Sequence, residues 1–65
     1  YYKEKLQFYF MALGSVTELQ NQVFVARDVG YISDSDFDSC SRLAINVHKI
    51  INGLIKKTRD IIRNS

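Results

Sequence analysis

Proline is absent from the sequence, and glycine occurs only three times. A chain with so few breakers cannot make the frequent turns of an all-β fold or the stiff extended stretches of a linker. Cysteine and histidine occur once each, as Cys40 and His48. No disulfide can close within one chain, and no zinc site of the Cys/His type can be assembled in it. Small domains normally depend on such staples. Yet 46% of the residues are hydrophobic, which excludes a disordered tail. Sixty-five residues form one domain at most, residues 1–65, and are too few for an ordinary enzyme domain. A chain of that size buries only about 60% of the surface its unfolded form exposes. What remains is a helical module that completes its core with something outside the chain.

Targeting signals are also missing. The first residues, Tyr1-Tyr2-Lys3, lack the basic region and continuous apolar run of a signal peptide. They lack an initiator methionine too, which leaves open both a piece of a longer protein and a natural short form. The apolar stretch Leu6–Ala26 is long enough to suggest a membrane span. Gly14, Ser15, Thr17, Glu18, Gln20, Asn21 and Gln22 make its middle and second half too polar for hydrocarbon. A reducing, cytoplasmic setting without a membrane partner is expected, with Cys40 as a small core-type residue.

One break divides the chain. The helical pattern stops at Val29-Gly30-Tyr31-Ile32-Ser33 and resumes afterwards. Gly30 suits the left-handed position just past a helix end. Ser33 is a natural N-cap, and Asp36 three residues later completes a capping-box pattern. Asp34, Asp36 and Asp38 place negative charge at the positive end of the second helix dipole. The expected elements are a helix over about 3–29, a turn at 30–33 containing Tyr31, and a helix over about 34–63.

Heptad spacing runs through both halves. Tyr9, Ala12, Val16, Leu19, Val23 and Ala26 alternate steps of three and four, as do Phe37, Cys40, Ala44, Val47, Ile51, Leu54, Thr58 and Ile61. Such seams pack knobs into holes at a shallow angle. Each is flanked by a second apolar set, Leu6, Phe10, Leu13 and Phe24 in one helix and Leu43, Ile50, Ile55 and Ile62 in the other. Two helices can cover only one seam each. The fold class expected is therefore all-α, a long antiparallel helical hairpin forming half of an up-and-down four-helix bundle.

Pairing about Tyr31 sets facing residues whose numbers sum to about 62 or 63. Gly14 then faces His48, and Gly53 faces Tyr9 or Phe10, small against large. Glu18 falls near Ile45, within reach of Arg42, His48 or Lys49 for a salt bridge. Between Leu6 and Ala26 it is the only charged residue, so the first helix is expected to be contacted on more than one side.

The segment Phe8-Tyr9-Phe10-Met11-Ala12-Leu13-Gly14-Ser15-Val16-Thr17-Glu18-Leu19 resembles the third-helix signature of the 23S ribosomal RNA intervening-sequence proteins, also called four helix bundle proteins. Gln22-Val23-Phe24-Val25-Ala26-Arg27-Asp28-Val29-Gly30-Tyr31-Ile32 is similar to that family's helix end and turn. Ile50-Ile51-Asn52-Gly53-Leu54-Ile55-Lys56 is similar to its last helix. The resemblance implies the second half of an antiparallel four-helix bundle, completed by a missing N-terminal helix pair or by another copy. It further implies homo-oligomeric rings, commonly pentamers, association with RNA or DNA, and no enzyme chemistry.

Charge is divided unevenly. Residues 1–41 hold three basic and six acidic side chains, a net of −3, whereas residues 42–65 hold six and one, a net of +5. Arg42, Lys49, Lys56 and Arg63 recur every seven residues, with Lys57 and Arg59 beside them. At about 1.5 Å rise per residue the stripe spans about 32 Å, enough to follow several phosphates. Bundle helices also carry such charge on a plain solvent face, and cations near a helix C-terminus complement its dipole. No RNA-recognition aromatic signature, glycine-rich phosphate cradle or helix-turn-helix spacing accompanies the stripe, which argues against a sequence-specific reader.

Catalysis has little support. His48, Ser15 and Glu18 can be drawn as a trio, but a histidine packed on Gly14 and hydrogen-bonded to Ser15 accounts for them better. Asp34, Asp36 and Asp38 lack the glycine and terminal glutamate of a calcium loop, so capping is their expected role and no metal, cofactor or small-molecule substrate is expected. Tyr9, Phe10, Gly14, Ser15, Glu18, Leu19 and Gly53 are the expected helix-packing or interface residues. Tyr1 and Tyr2, near a frayed end, are the aromatics freest to stack on bases.

Overall fold

A computed structural model describes residues 1–64. Two helices, α1 (Tyr2–Asp28) and α2 (Asp34–Asn64), lie antiparallel as a hairpin measuring 50 × 15 × 11 Å. The turn is set by local chemistry. Gly30 takes φ +82°, the left-handed conformation in which a side chain is strained. Its N–H donates to the Arg27 carbonyl at 3.0 Å, and the Tyr31 N–H donates to the Ala26 carbonyl at 2.8 Å. This pair of bonds is a Schellman closure, which satisfies carbonyls that the helix end would leave unpaired. Three residues after Gly30, Ser33 Oγ accepts the Asp36 N–H at 3.1 Å and starts α2.

Of the expected α2 seam, Phe37, Ala44, Ile51 and Thr58 are buried and Val47 and Ile61 half-buried, while the alternate positions shift toward the next residue. On α2 the buried or half-buried line is Phe37, Ser41, Ala44, His48, Ile51, Ile55, Thr58 and Ile62. Cys40 and Leu54, expected in the seam, are exposed, while Ile55 is 5% exposed. On α1 the expected Tyr9, Ala12, Val16, Val23 and Ala26 are half-buried, joined by Leu6, Leu13, Gln20 and Arg27, while Leu19 is exposed. Both adjacent lines of α2 share the same heptad, and the one that meets α1 includes the polar Ser41 and His48, so periodicity alone does not choose it.

Pairing keeps close to the expected sum beside the turn, where Phe24 meets Phe37, and departs from it farther out. Thr17 meets His48 and Phe10 meets Arg59, sums of 65 and 69. Helical side chains lean toward the N-terminus of their own helix. Those of α1 therefore lean away from the turn and those of α2 toward it. Partners in α2 then lie farther from the turn than simple counting gives.

His48 accordingly does not pair with Gly14 and Ser15. Thr17 Oγ1 donates to the Leu13 carbonyl at 3.0 Å, leaving its oxygen to accept from His48 Nε2 at 3.3 Å. Ser15 Oγ donates to the Met11 carbonyl within α1. Gly14 and Gly53 are exposed, and a Cβ built on either would meet nothing within 4 Å. Glu18 is exposed, and the single ion pair among the described residues is Arg27–Asp28 at 3.5 Å.

Near the turn the helices are clamped by rings and a cation. Phe24 and Phe37 meet edge-to-face with centroids 5.0 Å apart, and the Arg27 guanidinium lies 4.1 Å from the Phe37 centroid and 5.1 Å from that of Phe24. With Phe24 half exposed and Arg27 partly so, contacts of this kind are worth about 0.5–1 kcal/mol each.

The four hydrophobic side chains below 9% exposure or at it, Phe37, Ala44, Ile51 and Ile55, all belong to α2. Ile55→Ala should therefore destabilise by about 2–4 kcal/mol. Gly14→Ala and Gly53→Ala should each stabilise by about 1 kcal/mol, because open helix positions favour alanine. Urea unfolding followed by helical circular dichroism checks both signs.

Candidate nucleic-acid interface

Arg42, Lys49, Lys56 and Arg63 project from one line of α2, all exposed and all off the seam. Among the described residues none of them has a carboxylate within ion-pair distance, so their charges are uncompensated. An unpaired cation on a rigid helix can take a phosphate without first giving up a protein partner. Lys57, one residue beyond Lys56, is turned by about 100° around the helix. It lies on the line of Leu43 and Ile50, apart from the other four.

The structure instead joins Arg59 to the basic line. Asn52, Ile55, Lys56, Arg59, Asp60 and Arg63 line an open depression of about 340 Å³ near the end of α2. Three cations against the single carboxylate of Asp60 leave it positive. Arg59 is held there by Phe10, its guanidinium 5.2 Å from the ring centroid. No periodic signal distinguishes Arg59, because it lies on a different line of the helix; the interhelical pairing with Phe10 is what positions it.

Aromatic groups gather at the same end. Tyr1 and Tyr2 meet edge-to-face with centroids 5.3 Å apart, and Lys5 Nζ lies 4.4 Å from the Tyr1 centroid. The hydrogen bond with Tyr1 raises the Lys5 pKa above the ordinary lysine value. Tyr9 is half-buried in the seam, whereas Phe10 stays 43% exposed beneath Arg59.

Apolar surface occupies a different side. Val16, Leu19, Gln20, Val23, Cys40, Ser41, Leu43, Ala44 and Val47 line a groove of about 210 Å³ along both helices. Phe8, Met11, Val25 and Val29 are exposed on the side of α1 away from the seam. Among the described residues no cluster of three or more His, Cys, Asp or Glu side chains could hold a metal, and no helix is long and apolar enough to cross a membrane.

These features define an all-α hairpin with a basic line on one side and an unpartnered apolar groove on another. The chain belongs to the 23S rRNA-intervening sequence protein family, whose sequence model matches residues 1–53. The basic depression at Lys56, Arg59 and Arg63 thus lies beyond the matched stretch. Comparison with curated proteins gave no match, and comparison with solved structures gave none either.

Titration with inorganic polyphosphate, followed by amide NMR, should shift Lys56, Arg59 and Arg63 most and leave Leu43 and Ile50 nearly still. Shifts spread evenly over both helices would remove the depression as a phosphate site.

Proposed function

We propose that this chain is half of a four-helix bundle that self-assembles and associates with RNA or DNA through the basic line of α2, without enzymatic chemistry. The observation that supports it most is the set of unpaired cations at Arg42, Lys49, Lys56 and Arg63, continued by Arg59 into a positive depression. Lys57 adds to the field from the neighbouring line. Phosphates supply sequence-independent affinity, and a line of about 32 Å follows several of them. Assembly of copies, whether as a pair or as the pentameric ring that the family resemblance implies, would repeat the line and multiply weak contacts.

A non-enzymatic role agrees with how the polar side chains are engaged. His48 is bonded to Thr17, while Ser15 is bonded within its own helix on a different side. The proposal sets the protein in the reducing cytoplasm, where the exposed thiol of Cys40 would stay reduced. The apolar groove favours a second reading, an oligomerisation or interaction module that binds no nucleic acid.

Binding to single-stranded RNA measured across a salt series separates the two. The wild-type affinity should fall steeply with salt. Lys49→Glu, Lys56→Glu and Arg63→Glu together should lower it more than ten-fold and flatten the log–log slope by about 2, at about 0.7 per phosphate contact. Unchanged binding in the triple variant would overturn the nucleic-acid reading, and an assembled protein with no RNA affinity would establish the second.

A further inference from the structure

Groups that hold phosphate and a plane that can hold a base meet in the depression near the end of α2. Its cations are Lys56, Arg59 and Arg63, three and four residues apart, so they rise by about 4.5 and 6 Å along the helix. All three are exposed, and among the described residues none has a carboxylate within ion-pair distance. Lys56 and Arg63 belong to the basic line. Arg59 stands between them in sequence and closer to α1, with its guanidinium 5.2 Å from the Phe10 ring centroid.

This ring–cation contact differs from the others in the hairpin. Arg27 is enclosed by Phe24 and Phe37 and bonded to Asp28, with its side chain only 33% exposed. Lys5 at the Tyr1 ring is an ammonium and has no plane. Arg59 alone combines a plane, exposure and freedom from an acid. A guanidinium backed by a ring on one side can stack a base on the other. Phe10 also holds that guanidinium in advance, which lowers the ordering cost that a swinging surface arginine would pay on binding. One turn along α1 from Phe10 stands Gly14, where even an added Cβ would meet nothing within 4 Å, so the approach to the ring is open.

The rest of the depression suits a base. Ile55, 5% exposed, gives it an apolar wall. Asn52 offers an amide donor and acceptor, and Asp60 offers acceptors, for a base edge. The volume of about 340 Å³ falls at the small end of the range for small-ligand sites, about 300–1,000 Å³. The depression shares no lining residue with the apolar groove, so covering the groove leaves it open.

We propose that the depression is a nucleotide subsite for single-stranded nucleic acid. An unpaired base stacks on the outer face of the Arg59 guanidinium, backed by Phe10, while Lys56 and Arg63 take the phosphates on either side. This rests on the nucleic-acid reading above and adds a preference to it. A base within a duplex is already stacked on both faces and does not reach the plane, whereas phosphates alone would not distinguish the two forms. Arg42 and Lys49 carry the backbone onward without touching bases.

Fluorescence anisotropy of the full chain with two short single-stranded oligoribonucleotides, one bearing its bases and one abasic, tests the subsite. The base-bearing strand should bind at least about five-fold more tightly. Arg59→Lys keeps the charge and loses the plane, whereas Phe10→Leu keeps an apolar side chain and loses the ring. Each should abolish the preference for bases while the salt slope stays, because no charge is removed. Duplex of the same sequence, at equal phosphate concentration, should displace the bound strand less well than unlabelled single strand does. Equal affinity for the abasic strand, a preference that survives both variants, or equal competition by duplex would overturn the base subsite and leave a phosphate-only surface. Absence of salt-dependent binding to any strand would overturn the nucleic-acid reading itself.

Discussion

The hairpin depends on a single seam, and two helices can bury no more than that. Each side chain on the α2 line is covered from one direction only, so burial stops at Phe37, Ala44, Ile51, Ile55 and Thr58. No residue of α1 is buried. An apolar helix in which nothing is buried is an incomplete arrangement, because the hydrophobic effect scales with the area removed from water. The groove along Leu19, Cys40, Leu43 and Val47 and the exposed rings of Phe8 and Phe10 are consequences of that geometry. A single cysteine allows no disulfide within the chain, and the described residues hold no metal cluster, so the seam carries the hairpin without a staple.

Sequence reading succeeded where the signal was local. Gly30 and Ser33 act on backbone groups within a few residues, so the turn and both helix boundaries follow from residue type. Where the signal was periodic it found Phe37, Ala44, Ile51 and Thr58 and placed the alternate positions one residue off. Cys40, Val47, Leu54 and Ile61 satisfy a heptad as well as Ser41, His48, Ile55 and Ile62 do, and the second set has two polar members. The choice is settled by which line meets α1, a tertiary fact. The register error at His48 has a similar origin, since counting from the turn ignores the lean of the side chains. The charged line was legible because exposed residues keep the helix period. Arg59 was legible as a neighbour of that line, but its seat on Phe10 was not, because that contact is interhelical.

Charge and apolar surface are kept apart on α2. Arg42, Lys49, Lys56 and Arg63 share one line, and the exposed Leu43 and Ile50 share another with Lys57 at its end. Such separation lets one helix serve two partners at once, since burying the apolar line leaves the cations hydrated. A chain with the same composition but mixed lines would have to desolvate its charges in order to assemble. The overall charge of +2 conceals this arrangement.

The clamp of Phe24, Arg27 and Phe37 beside the Gly30 turn has a kinetic meaning. These residues are close in sequence, so the loop that joins them is short and costs little entropy to close. The hairpin can form there first and then zip toward its open end, each new pair being only slightly farther along the chain. Low contact order of this kind gives folding in the microsecond to millisecond range. Changes at the clamp would then slow folding, whereas changes at Ile61 or Leu6 would mainly hasten unfolding. The open end, which carries the cations of α2, would be the first part of the molecule to loosen and the last to set.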